Sequence, residues 1–272
     1  MTTIPRRAWT RQIMGMPISL HVRGAELSIE HQVEQVFASL CDADALFSTY
    51  REDSQLSRWE RGELALADAD PALAEVFELC EEARHRTGGY FDARSLPRVS
   101  GAGRHYDPSG LVKGWAVERA AGHLAELTAH SWCLNAGGDV LVRTADGHPA
   151  WRVGIEDPFD RARIARVFSV ADGAVATSGT ARRGAHIVNP HDGQPAMAVC
   201  SVTVIGPSPL WADVYATAAV ARGEGAASWL SSINEYQGMI VKADGRPSWS
   251  GPARVVKQDP DSFFIGSSSA FG

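Results

Sequence analysis

The chain has 272 residues, 44% of them hydrophobic and 21% charged, enough apolar sequence to bury a large core in one domain or two closely packed subdomains. A net charge of −6 argues against a nucleic-acid binder. No apolar run reaches the roughly 18 residues that a bilayer-spanning helix needs, and no basic amphipathic run suggests contact with a membrane surface.

Residues 1–11 hold three arginines with no apolar core behind them, unlike an export signal, so a cytoplasmic location is expected. From Ile18 to Val22 apolar and polar side chains alternate, as in a strand. Residues 28–46 then place Val33, Val36, Phe37, Leu40 and Leu46 at helical spacing, and a charged loop follows over residues 48–58. Asp70-Pro71 is a helix start: a side-chain oxygen to cap, then a ring whose missing N–H costs nothing there. That helix turns Leu73, Val76, Phe77 and Cys80 inward and stops at Gly88-Gly89. Residues 107–114 lead into another helix running through Val117 and Leu124.

After residue 130 the pattern becomes strand-rich. Strands are expected near 131–134, 139–143, 151–155, 165–170, 174–177, 185–188, 200–205 and 237–242, interrupted by helices at 210–222 and 225–232. The predicted fold class is α/β (α+β), two intimately packed subdomains with antiparallel or mixed sheets flanked by helices, spanning 1–258. The Ser/Gly-rich residues 259–272 read as a mobile tail. Cys41, Cys80, Cys133 and Cys200 lack metal spacing and each sits in an apolar segment, which predicts buried free thiols in a reducing compartment.

Several segments carry chemistry. Asp213 and Thr217 lie four residues apart, on one face of a predicted helix. Two hard oxygen donors side by side suit Mg²⁺; the same spacing also fits a surface Asp and a Thr bonded back to its own turn. Asp107-Pro-Ser-Gly110-Leu-Val-Lys113-Gly114 is a glycine-bearing loop before a helix. Its backbone N–H groups would attract phosphate and Lys113 adds a point charge, although a tight turn before a surface helix is the simpler account and neither nucleotide-loop spacing is present. Asn135-Ala-Gly137-Gly138-Asp139 joins two strands, either as a plain hairpin turn or as a close approach of backbone to ligand. Ser178-Gly179 precedes His186, which suits a structural hydrogen bond or a general base. Tyr90-Phe91-Asp92 places two aromatic rings beside a carboxylate. A flavin or adenine ring would stack there, while core packing of Phe91 is the simpler account.

In this order, together with Met14-Gly15 and Ser48-Thr49-Tyr50 followed by Asp53-Ser54, these segments resemble the ApbE family of FAD:protein FMN transferases over residues 14 to 245. The resemblance implies a Mg²⁺-dependent enzyme that binds FAD and moves FMN to a Thr or Ser hydroxyl of an acceptor protein. The product is a phosphoester-linked flavin, and AMP is released. It further implies metal ligation by Asp213, Thr217 and the Gly110 carbonyl, and cofactor contacts from Met14, Tyr50, Tyr90, Phe91, Asp92, Asp107, Lys113 and Ile187. His186, with Asp213, would be catalytic. Expected partners are FAD, the acceptor protein and a second copy in a homodimer, with no nucleic acid and no membrane insertion. FAD hydrolysis to FMN and AMP, or storage of FAD without turnover, are the alternatives. The chain departs from the family pattern in a short loop between Gly179 and His186 bearing Arg182 and Arg183, in Asn189 where Asp is common, and in Trp115 and Glu118.

Overall fold

A computed structural model describes residues 4–25, 28–94, 106–180 and 187–250. In chain order the elements are β1 (Arg6–Ile13), β2 (Met16–Arg23), α1 (Glu30–Phe47), α2 (Gln55–Glu60), α3 (Pro71–Arg86) and α4 (Ser109–Ala121). There follow β3 (Ser131–Ala136), β4 (Asp139–Arg143), β5 (Trp151–Glu156), β6 (Ile164–Val170), β7 (Gly173–Gly179) and β8 (Val199–Gly206). The chain continues with α5 (Pro209–Arg222), α6 (Ala226–Ser231), β9 (Gln237–Lys242) and β10 (Pro247–Ser250). Eight strands form one sheet in the order β1-β2-β3-β4-β7-β8-β9-β10, with every neighbouring pair antiparallel. The β5–β6 hairpin stands apart as a two-stranded sheet.

Strand periodicity divides the core in two. Successive side chains point to opposite faces, so Trp132, Leu134, Leu141, Ala174, Ala176, Val202, Val204 and Ile240 face the helices. Cys133, Val140, Val142, Val175, Ile205, Met239 and Val241 face the other way, where the hairpin covers them with Trp151, Val153, Ile155, Phe168 and Val170. On the helical side α5 packs against β7 and β8 and beneath α4. Gly114 permits that approach: a Cβ added there would lie 2.6 Å from the Leu210 Cα and from the Pro209 carbonyl oxygen.

The Asp70 cap is present, its carboxylate accepting from the Ala72 N–H at 2.9 Å, and Gly88 and Gly89 end α3 with positive φ. Four expectations need revision. The strand expected at Ile18–Val22 does not open the sheet: residues 6–13, to which no element was assigned, form the edge strand β1 before it, and Arg7 and Arg11 pair with Glu30 and Glu34 of α1, which satisfies charges that obscure the strand pattern. Most of the stretch expected as a loop over residues 107–114 is already helix, since α4 starts at Ser109. Cys41 is exposed and Cys200 half-buried, so only Cys80 and Cys133 are buried thiols; Cys41 lies on the solvent side of an amphipathic helix. Of the strand expected at 185–188, Val188 makes an isolated bridge to Pro195, and residues 185 and 186 lie outside the described residues, as does the segment 259–272.

Candidate functional site

The site assembles around α5. Ser208 caps this helix through its hydroxyl, Pro209 opens it, and most of its residues are buried because it lies between the sheet and α4. Asp213 is 2% exposed, which rules out an ordinary surface carboxylate. One turn on, Thr217 does not spend its hydroxyl on its own turn: its Oγ1 shares a 2.9 Å hydrogen bond with the Ser178 Oγ of β7. Ser178 reaches it by strand parity, two residues beyond Ala176 on the helical face. Gly110 of α4 adjoins the same spot, for a Cβ there would stand 3.8 Å from the Thr217 Oγ1 and 3.1 Å from the Phe91 ring.

Lys113, one turn further along α4, extends its ammonium to two carboxylates. It lies 2.5 Å from the Asp139 Oδ2 and 3.4 Å from the Asp213 Oδ2. Asp139 opens β4, two residues before Leu141, so the pleat aims it at the helices. Its Oδ1 accepts the Thr177 N–H at 3.0 Å. Burial favours the neutral amine of Lys113, but the charges of Asp139 and Asp213 more than reverse this, holding its pKa above the ordinary lysine value. The ammonium therefore stays charged near neutral pH.

Other predicted residues take different places. Met14, at φ +54, and Gly15, at φ +68, form the β1–β2 turn. That turn meets the β3–β4 turn, where the Met16 sulfur would be 2.7 Å from a Cβ on Gly137. Tyr50 is 93% exposed on the loop after α1. The Tyr90 ring is engaged by His191, with centroids 4.5 Å apart, and by the Arg222 guanidinium at 4.2 Å. Phe91 is 5% exposed and packs under Gly110, as the core reading of that residue anticipates. Asp92 accepts from the Arg94 N–H, and Asp107 from the Ser109 N–H, each at 2.9 Å. Ile187 is buried, its carbonyl accepting from the Ala196 N–H. His186 and the Arg182-Arg183 pair lie outside the described residues.

The structure thus brings Gly110, Lys113, Asp213 and Thr217 together, and adds Asp139 and Ser178, to which the sequence assigned no task. It also adds His191, whose Nε2 meets the Gly88 carbonyl at 3.1 Å and ties the 189–194 turn to the end of α3. Asp139 and Ser178 stand in segments that carry the family resemblance, and strand parity is the further signal that turns them toward the helices; for His191 there was none. Among the described residues no three His, Cys, Asp or Glu side chains gather as a metal cage. A cation held here would draw on one carboxylate plus hydroxyl and carbonyl oxygens. That hard-oxygen set fits Mg²⁺ rather than Zn²⁺.

The ApbE family model matches residues 14–105 and 98–240. The chain belongs to the ApbE family. A Vibrio cholerae relative named FAD:protein FMN transferase is 33% identical over 153 residues, 52% of this chain and 46% of that protein. A Rhodobacter capsulatus relative of the same name is 32% identical over 135 residues, 47% of this chain and 26% of its own length. The chain therefore spans about half or less of these ApbE relatives. The crystal structure of the Thermotoga maritima ApbE protein superposes with a TM-score of 0.83 at 20% identity, over 94% of this chain and all of that one, which shows the shared fold. No helix among the described residues is long and apolar enough to cross a membrane.

Proposed function

We propose that the chain is an FAD:protein FMN transferase that moves FMN from FAD to a Thr or Ser hydroxyl of an acceptor protein and releases AMP. The observation that carries this reading is the buried Asp213 with Thr217 on the same helical face, set against Gly110 and Lys113 of α4. The names carried by the relatives support it. In this reading Asp213, Thr217 and the Gly110 carbonyl hold Mg²⁺, which when bound supplies the charge that a leaving phosphate needs. Lys113 has three donors, of which two face the carboxylates of Asp139 and Asp213, and in this reading the third would meet an FAD phosphate. Met14, Tyr50, Tyr90, Phe91, Asp92, Asp107 and Ile187 border the substrate.

The acceptor oxygen bonds to the phosphorus of the FMN portion while the bond from that phosphorus to the bridging oxygen breaks. AMP departs with that oxygen, and the acceptor's proton passes to His186, because an alcohol is a weak nucleophile without a base beside it. Four free cysteines suit a reducing compartment, and we assign the protein to the cytoplasm.

The test combines the purified chain, FAD, Mg²⁺ and a Thr-bearing acceptor peptide. Flavin fluorescence on the peptide in a denaturing gel, with an equal amount of AMP, is the expected result. Free FMN and AMP without labelled peptide would make the protein a hydrolase, and unchanged FAD would make it a storage protein; either contradicts the proposal.

A further inference from the structure

We infer that His191 is a positioning residue that docks the loop of residues 187–196 on the end of α3, so that Ile187 and Tyr90 form one wall of the FAD site. The inference rests on the FAD reading given above, in which both residues border the substrate. The loop closes on itself. The Ala196 N–H donates to the Ile187 carbonyl at 2.9 Å, the Asn189 N–H donates to the Gln194 carbonyl at 2.8 Å, and Val188 bridges Pro195. The Asn189 amide donates to the Asp192 carboxylate at 2.8 Å and braces the turn from within. A two-stranded unit this short is marginal by itself in water, so its place depends on what it rests against. At its base Ile187 and Ala196 are buried in the core, while residues 191–195 at its tip are exposed.

From that tip His191 makes two contacts with the end of α3. Its Nε2 lies 3.1 Å from the Gly88 carbonyl oxygen, and because a carbonyl only accepts, the ring nitrogen donates. Its ring also meets the Tyr90 ring, with centroids 4.5 Å apart and 62° between the planes. Gly89 keeps the approach clear, since a Cβ there would stand 3.3 Å from the His191 Cε1. The surface that His191 meets is itself held. Arg222 of α5 lies 4.2 Å from the Tyr90 centroid, and its Nη2 donates to the Thr87 carbonyl at 3.3 Å. His191 thus joins a strip of chain with little grip of its own to a braced helix end. The hydrogen bond and the ring contact are each worth about two- to tenfold in the docking equilibrium.

The experiment combines hydrogen exchange of the full chain, without ligand, with an FAD titration followed by flavin fluorescence and with thermal melts. His191→Ala should raise exchange across 187–196 by about tenfold, leave β3 and β8 as protected as in wild type, and weaken FAD by about five- to fiftyfold. His191→Phe keeps a ring and His191→Gln keeps an N–H, so each should fall between wild type and His191→Ala. Unchanged exchange in His191→Ala would overturn the inference, as would faster exchange with wild-type affinity for FAD. Exchange that rises throughout the sheet, with a lower melting temperature, would make His191 a stability residue and would also overturn it. If His191→Ala does not fold, the Phe and Gln variants decide: partial loss in both supports the account, and wild-type exchange in both contradicts it. A wild type that binds no FAD would instead remove the reading on which the inference stands.

Discussion

The two faces of the central sheet are drawn from the same strands and filled in opposite ways. On the hairpin side, Val153, Phe168 and Val170 close over Val140, Val142, Val175 and Ile205. The buried polar groups there are neutral hydroxyls, among them Ser131, Ser201 and a 2.9 Å pair between Thr177 and Thr203. On the helical side, β4 and β7 turn Asp139 and Ser178 inward against Lys113, Asp213 and Thr217. Burying charges is costly, and well-packed apolar residues in their place are often neutral or stabilising. The contrast teaches that one face is organised for stability and the other gives up some stability to hold a charged site.

Substitutions on each side sharpen that contrast. Phe168, 1% exposed under the hairpin, should have the largest effect on folding: Phe168→Ala should lower the unfolding free energy in urea by about 3–5 kcal/mol. Under folding conditions its Mg²⁺ affinity should match wild type. A folded Phe168→Ala protein that no longer bound Mg²⁺ would show that the two faces do not divide the work. Ser178→Ala removes one neutral hydrogen bond to Thr217, so Mg²⁺ affinity should fall by about 0.5–1.5 kcal/mol in calorimetry, with little change in melting temperature. Wild-type affinity in that variant would mean that the Thr217 hydroxyl needs no such support.

Much of this was legible in the sequence. The helices around Val33, Val76 and Val214, and the strand-rich second half, followed from apolar periodicity. The Asp213–Thr217 spacing by itself places both side chains on one helical face. What could not be read was which way that face points. A helix polar on one stripe is normally turned to water, and α5 turns its stripe into the protein because β7, β8 and α4 enclose it. The Lys113–Asp139 pair joins residues from a helix and a distant strand, so only the sheet order brings them together. The edge strand β1 escaped notice because its arginines find partners on α1, a tertiary fact invisible in a local pattern. The resemblance to the ApbE family located residues that spacing alone left open, and the fold places four of them in one cluster.

The most direct measurement is a Mg²⁺ titration of wild type and Asp213→Ala, each with its melting curve. Asp213→Ala leaves Lys113 paired with Asp139, so the variant should fold. Saturable binding by wild type that is lost by about a hundredfold or more in the variant is the predicted result. Equal binding by the two proteins would contradict the account, because it would leave the buried carboxylate of α5 without a part in holding the cation.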